Sequence, residues 1–233
     1  MSLYYGYYYF DSSYLLVILA SIIVLLAQSK VSSAYTKYSR VLNSSHLTGE
    51  EVARKIIYRY GLNIGVEKVN GQLSDHYDPT KKVVRLSAAI HDGTSIASLA
   101  VAAHEVGHAL QDQENYSMLR LRHNLLPLAN IGNTAGWIAV MIGLLAGISS
   151  VAYIGLGFLS VMLLFQFVTL PVEFDASKRA LRILESEGFL SYNETGMAKS
   201  MLDAAALTYV AAVASTLLNL LRIFFVITGR RRD

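Results

Sequence analysis

Between His123 and Glu173 the chain runs from Asn124 to Val172 without a single Asp, Glu, Lys, Arg or His, forty-nine residues in all. A water-facing segment of that length would carry charge. Two helices of about 20 residues each, crossing a bilayer and joined by a short turn, match it instead. The run predicts a transmembrane helical hairpin over 124–170. Gly147, Ile148, Ser149 and Ser150 supply the turn, and small residues such as Gly132, Gly136, Gly143 and Gly155 allow the two helices to approach closely.

Composition extends this reading to the rest of the chain. It is 53% hydrophobic and 16% charged, with positive mean hydropathy, which is more apolar material than one soluble core of this size needs. Ser12 to Ser29 carries no charge and forms the expected first transmembrane helix. Met1 to Asp11 has no Lys or Arg, so this helix reads as an uncleaved anchor rather than a signal peptide. The tyrosine-rich stretch Tyr4 to Phe10 resembles an interfacial aromatic belt. Ala204 to Leu221 is a fourth charge-free stretch, interrupted by Arg222, and either spans or packs as an amphipathic helix. The chain has no cysteine, which excludes disulfides and thiolate metal sites. A net charge of +3 with scattered basic residues gives no nucleic-acid-binding stripe.

Residues 30–123 form the main polar segment. Thr48 with Glu51 makes a capping box, Val52, Ile56 and Ile57 keep helical spacing, and Gly61 stops a helix over Gly49 to Tyr60. Three strand-like pieces follow: Gly65 to Val69, Gln72 to Tyr77 after the turn signal Asn70-Gly71, and Lys81 to Ser87 after Asp78-Pro79-Thr80. They predict a short three-stranded antiparallel sheet. A second polar segment predicts a helix starting at Pro171 and stopping at Gly188, then another starting near Asn193 and Glu194. The expected fold is an α+β membrane protein, a small catalytic domain of helices and sheet joined to about four transmembrane or membrane-embedded helices. The expected division is 1–29, 30–123, 124–170, 171–203 and 204–233.

The chemistry-bearing motif is His104-Glu105-Val106-Gly107-His108. On a helix the two histidines stand four residues apart on one face, where both can bind one metal ion, and Glu105 points toward the same place. This is the HExxH spacing of zinc hydrolases. Ser95 is a plausible N-cap for an apolar helix that carries the motif into Gln111 and Asp112. A catalytic zinc takes three protein ligands and leaves a position for water, so a third donor is needed. Glu173 is the candidate, with Asp175 and Glu185 as nearby alternatives. His104 and Glu173 can meet only on the same membrane face, which requires an even number of crossings between them, and the uncharged run permits two. One zinc ion on His104, His108 and Glu173 would activate a water, with Glu105 as general base.

Several blocks together resemble the YugP-like putative neutral zinc metallopeptidase family of membrane proteins: Leu73 to Pro79, Val84 to Ser87, Ala102 to Ala109, and Glu173 to Ser177. The chain is more remotely similar to HtpX-like and CAAX prenyl membrane proteases. That similarity implies a gluzincin, in which a glutamate on a later helix is the third ligand. It also implies that the strand before the motif helix is an edge that pairs with an extended substrate. His76 and Tyr77 are then candidates for polarising the carbonyl. In the remoter relatives the fourth residue after the ligand glutamate is aspartate. Here it is Ser177, with an aspartate at Asp175, so the partners of the histidines stay open. Arg120, Arg122 and His123 are expected at the membrane interface, and Tyr209 either faces the site or packs.

The expected function is an integral-membrane zinc endopeptidase acting on peptides or unfolded membrane-protein segments. The alternatives are a zinc-stabilised adaptor without peptidase activity and a zinc hydrolase of lipid amides or esters. Lys30, Lys37, Arg40, Arg120, Arg122, Lys178, Arg179 and Arg182 cluster on the catalytic side, which by the positive-inside bias faces the cytoplasm. The tail Arg230-Arg231-Arg232 opposes that bias if the fourth stretch crosses fully.

Overall fold

Residues 13–71 and 74–229 are described by a computed structural model, and they form seven helices and a three-stranded sheet. In chain order these are α1 (Tyr14–Tyr38), α2 (Gly49–Arg59), β1 (Gly65–Val69), β2 (His76–Asp78), β3 (Val83–Ser87), α3 (Ala88–His91), α4 (Ile96–Gln113), α5 (Ser117–Leu145), α6 (Ser149–Ser186) and α7 (Tyr192–Gly229). Tyr4 to Phe10 and Arg230 to Arg232 lie outside the described residues.

Helices α1, α5, α6 and α7 are long and apolar enough to cross a membrane. Helix α5 packs along α6, α6 along α7, and α7 along α1. Their outward sides carry exposed large hydrophobics such as Leu25, Ile131 and Met141, the reverse of a soluble helix and what lipid contact requires. Arg222 lies within the continuous helix α7 and stacks on the ring of Tyr14 rather than ending the helix.

The polar half folds around α4. Helix α2 starts with the expected capping box, Thr48 Oγ1 accepting from the Glu51 N–H while Glu51 accepts from the Thr48 N–H. Its buried face of Val52, Ala53, Ile56 and Ile57 joins Ile90, Ile96, Leu99, Ala103 and Leu184 in one core. Ser95 caps α4 by accepting from the Ser98 N–H.

The sheet corrects one expectation. Its order is β1-β3-β2, with β1 parallel to β3 and β2 antiparallel to β3, so it is mixed rather than antiparallel. The reason lies in β3, where Val83, Val84, Leu86 and Ser87 are buried. A strand buried on both faces belongs in the middle of a sheet, and Asn70-Gly71 opens a longer connection instead of a two-residue hairpin. The strand before the motif helix is therefore central, and the edges are β1 and β2.

A second correction concerns Pro171, which sits inside α6 and does not start a helix. The helix runs on for 38 residues from the turn at Gly147, which has φ +71, to its cap at Glu187 and Gly188. Proline within a membrane-spanning helix is tolerated because neighbouring groups satisfy the backbone it frees. The practical result is that Glu173 rides on the same rigid rod as the hairpin.

Candidate metal centre

Two helix stripes face each other. On α4, His104, Gly107, His108 and Gln111 follow the i, i+3, i+4, i+7 spacing of one helix face; on α6, Glu173, Ala176, Ser177 and Ala180 do the same. Gly107 is where the helices nearly touch. A Cβ there would lie 2.8 Å from the Ala176 carbonyl oxygen, which is backbone and cannot swing aside. The fourth position of the motif is therefore glycine because α6 must come this close for Glu173 to reach the histidines.

The reach is short. Glu173 Oε2 lies 3.4 Å from His104 Nε2 and 3.6 Å from His108 Nε2. One donor atom from each of the three residues falls within 4.8 Å of the others. Ligand atoms about 2.0–2.1 Å from a tetrahedral zinc stand roughly 3.4 Å apart, so the spacing suits that ion. A second observation agrees. Glu173 is 3% exposed, and its Oε2 has no hydrogen-bond partner among the described residues. A buried carboxylate oxygen without a donor is costly, and a divalent cation removes that cost. The donor set, two imidazoles and a carboxylate without thiolates, fits zinc.

The histidines are held from behind. His108 Nδ1 is 3.0 Å from Gln111 Oε1, while Gln111 Nε2 donates to the Val172 carbonyl at 2.8 Å and to Asp175 Oδ2 at 2.9 Å. With its amide nitrogen so committed, Gln111 presents oxygen to the ring. His108 therefore carries its proton on Nδ1 and turns the Nε2 lone pair toward Glu173. Gln111 is fully buried. His104 Nδ1 has its own partner, Ser177 Oγ at 3.2 Å. The departure Ser177 thus sits where a histidine partner is needed, and Asp175 serves the other histidine through Gln111.

The remaining candidates sort as follows. Asp175 accepts from Gln111 and Arg179 and does not join the three-residue cluster. Glu185 is exposed and lies about 18 Å further along α6. Arg122 also reaches the cluster, with its Nη1 3.5 Å from Glu173 Oε1. Gln111 went unpredicted, although a glutamine three residues after the second histidine, on the ligand face of an apolar helix, was a usable signal.

Two chambers open on either side of the cluster and share Asp75, His104, Glu105, Glu173 and Tyr209. One is polar, with His76, Tyr77, Arg122 and His123 in its wall, and measures about 240 Å³. The other, about 210 Å³, is walled mainly by Val101 and α7. Tyr77 is not free to act on a carbonyl, since its hydroxyl donates to Asp112 Oδ2 at 2.7 Å. Burial and that bond push the Tyr77 hydroxyl pKa well above its ordinary value. For Asp112, burial pushes upward, but hydrogen bonds from Lys82 and Tyr77 outweigh it and hold the carboxyl below the usual range. The pair pins β2 to α4 beside the chamber. A larger cavity, about 510 Å³, lies at the Gly143–Ser149 turn, where no wall residue titrates.

The profile of the family described as putative neutral zinc metallopeptidase matches residues 13–228. A protein of Bacillus subtilis (strain 168) named putative membrane protease YugP is 46% identical over 208 residues, covering 89% of this chain and 92% of that protein. No solved structure matches.

Proposed function

This chain belongs to the putative neutral zinc metallopeptidase family, and from that premise we propose that it hydrolyses peptide bonds with zinc held by His104, His108 and Glu173 and with Glu105 as general base. The observation carrying the proposal is the approach of Glu173 Oε2 to both Nε2 atoms across the Gly107 contact. Two histidines from HExxH and a glutamate from a later helix make the gluzincin arrangement.

When bound, zinc supplies Lewis acidity, polarising a carbonyl oxygen and making water acidic enough to lose a proton near neutral pH. The chain's own residues do the rest. Glu105, buried at 9% exposure and shared by both chambers, accepts the proton from the attacking water and returns it to the leaving amine. Ser177 and Gln111 keep the two imidazoles turned toward the cluster. Arg122 steadies the second oxygen of Glu173. Strand β2 is the edge beside the polar chamber, and its backbone can pair with an extended peptide irrespective of sequence.

Peptides or unfolded segments of membrane proteins are the proposed substrates, because the cluster lies between α4 and the end of a spanning helix. The basic residues flanking the spans favour a cytoplasmic active site. Helix α7 then carries the C-terminus to the side of the N-terminus. The test compares membranes holding wild type with membranes holding Glu105→Gln, identifying cleaved termini by mass spectrometry and zinc by elemental analysis. The variant should keep zinc and lose about 10²–10⁴-fold in turnover. Equal cleavage by both proteins would remove Glu105 from its role.

A further inference from the structure

Helix α7 turns one stripe toward the metal cluster: Met201, Leu202, Ala205, Ala206 and Tyr209 recur at helical spacing along it. With Val101, one turn before His104 on α4, they form most of the wall of the smaller chamber, to which Asp75 and Ser177 also contribute. That chamber is continuous with His104, Glu105 and Glu173, so anything lodged in it sits directly beside the reacting bond. Its volume of about 210 Å³ lies below the roughly 300–1,000 Å³ of pockets that take a whole small-molecule ligand. It suits one side chain. The polar chamber across the cluster, with Arg122, His123 and His76, offers nothing comparable to an apolar group.

We propose that this chamber is the specificity subsite, receiving one leucine-, methionine- or phenylalanine-sized side chain of the residue flanking the scissile bond. The inference rests on the peptidase reading above and adds the substrate class. Two alanines on the α7 side set the depth: Ala205 and Ala206 leave room that any larger residue would fill, while Met201 and Leu202 form an apolar floor. An acidic side chain would meet the carboxylates of Asp75, Glu105 and Glu173 in the same wall, a basic one would give up water to lie among Met201, Leu202 and the two alanines, and a glycine or alanine would leave the apolar surface wet. The occupant is also what a membrane-embedded or unfolded transmembrane segment presents most often.

The test uses the full chain reconstituted in vesicles with zinc and a peptide library varied at the two positions around the cleaved bond. Wild type should cut beside Leu, Met or Phe at least about tenfold better, in kcat/KM, than beside Ala or Asp. In Ala205→Phe the ratio of Leu to Ala peptides should fall to one or below. In Val101→Ala, a smaller change that keeps the proposal testable if the first variant misfolds, preference should move toward Phe and Trp. Binding of fluorescent Leu, Ala and Asp peptides to Glu105→Gln gives the same ranking without turnover. Glu105-dependent cleavage that ignores these side chains, or favours charged ones, or does not move in either variant, overturns the subsite and leaves the peptidase reading standing. Absence of any Glu105-dependent cleavage overturns both.

Discussion

The two ends of α6 are built by different rules. From Ser149 to Thr169 the helix lies against α5 through small residues: a Cβ on Gly143 would fall 2.4 Å from the Ala152 nitrogen, and one on Gly155 2.6 Å from the Val140 nitrogen. That end has no acidic, basic or histidine side chain. Within a bilayer, pressing two apolar surfaces together gains nothing over lipid contact, so close van der Waals fit holds the pair. From Val172 to Ser186 the same helix meets α4 with one such approach, at Gly107. Around it runs a polar chain, buried at its histidine end and half-buried at the other, in which His108 donates to Gln111, Gln111 to Asp175, and Arg179 to Asp175. Close approach in the first half joins two helices. In the second it sets the distance between Glu173 and the two histidines.

The sharpest way to break this contrast is to crowd each approach in turn. Gly107→Leu should push α6 off α4, weaken zinc binding by more than about 100-fold and lower stability by about 1–3 kcal/mol. Gly143→Leu should cost a similar amount of stability yet leave zinc affinity within about threefold. Zinc titration and thermal unfolding on both proteins check the pair, and equal zinc loss would mean the halves are not separable.

A smaller effect is expected behind the histidines. Gln111→Ala removes the acceptor of His108 and should weaken zinc by about 10–100-fold, while Ser177→Ala, whose contact with His104 is longer, should sit at the low end of that range. Competition with a chelator measures both. Affinity unchanged in Gln111→Ala would show that the ring needs no support.

The smallest effect is acid sensitivity. Asp78 is held down to about 2, first by the Lys81 N–H and then by Arg85. Its folded-state value lies below its unfolded one, so its support of the β2–β3 corner is complete above the ordinary aspartate value of 3.8 and drains away as pH falls toward about 2. The α5–α6 hairpin has no carboxylate between 124 and 172. Amide protection between pH 4 and 2 should therefore fall in β2 before it falls in the hairpin, and simultaneous loss would contradict the assignment.

How much of this is legible in the sequence follows the same divide. The uncharged run, the Thr48 capping box, the Ser95 cap and the Gly147 and Gly188 stops are local signals, and each marks what the structure contains. The family is legible too, because blocks such as Ala102 to Ala109 and Glu173 to Ser177 are each contiguous in the chain, and the family's match over residues 13–228 includes them. Sheet order is not, since β1 bonds directly to β3, skipping β2 in sequence, and no local turn signal reports a parallel pairing. Pro171 misleads because the rule placing proline at a helix start assumes a helix ending in water. The contact of Arg122 is hidden for a further reason, because its partner Glu173 lies on another helix; Gln111 shows its place on the histidine face of α4, but not its bond to the Val172 carbonyl. Even crossings imply that His104 and Glu173 share a membrane face, but only the packing at Gly107 sets how closely they meet.

The central claim is that α6 delivers the third ligand to the α4 histidines, and zinc stoichiometry measures it most directly. Purified wild type dialysed against trace zinc should retain one ion per chain, and Glu173→Ala should bind at least about 100-fold more weakly while remaining folded. Equal zinc content and affinity in the two proteins would show that Glu173 is no ligand, and the arrangement proposed for this site would fail.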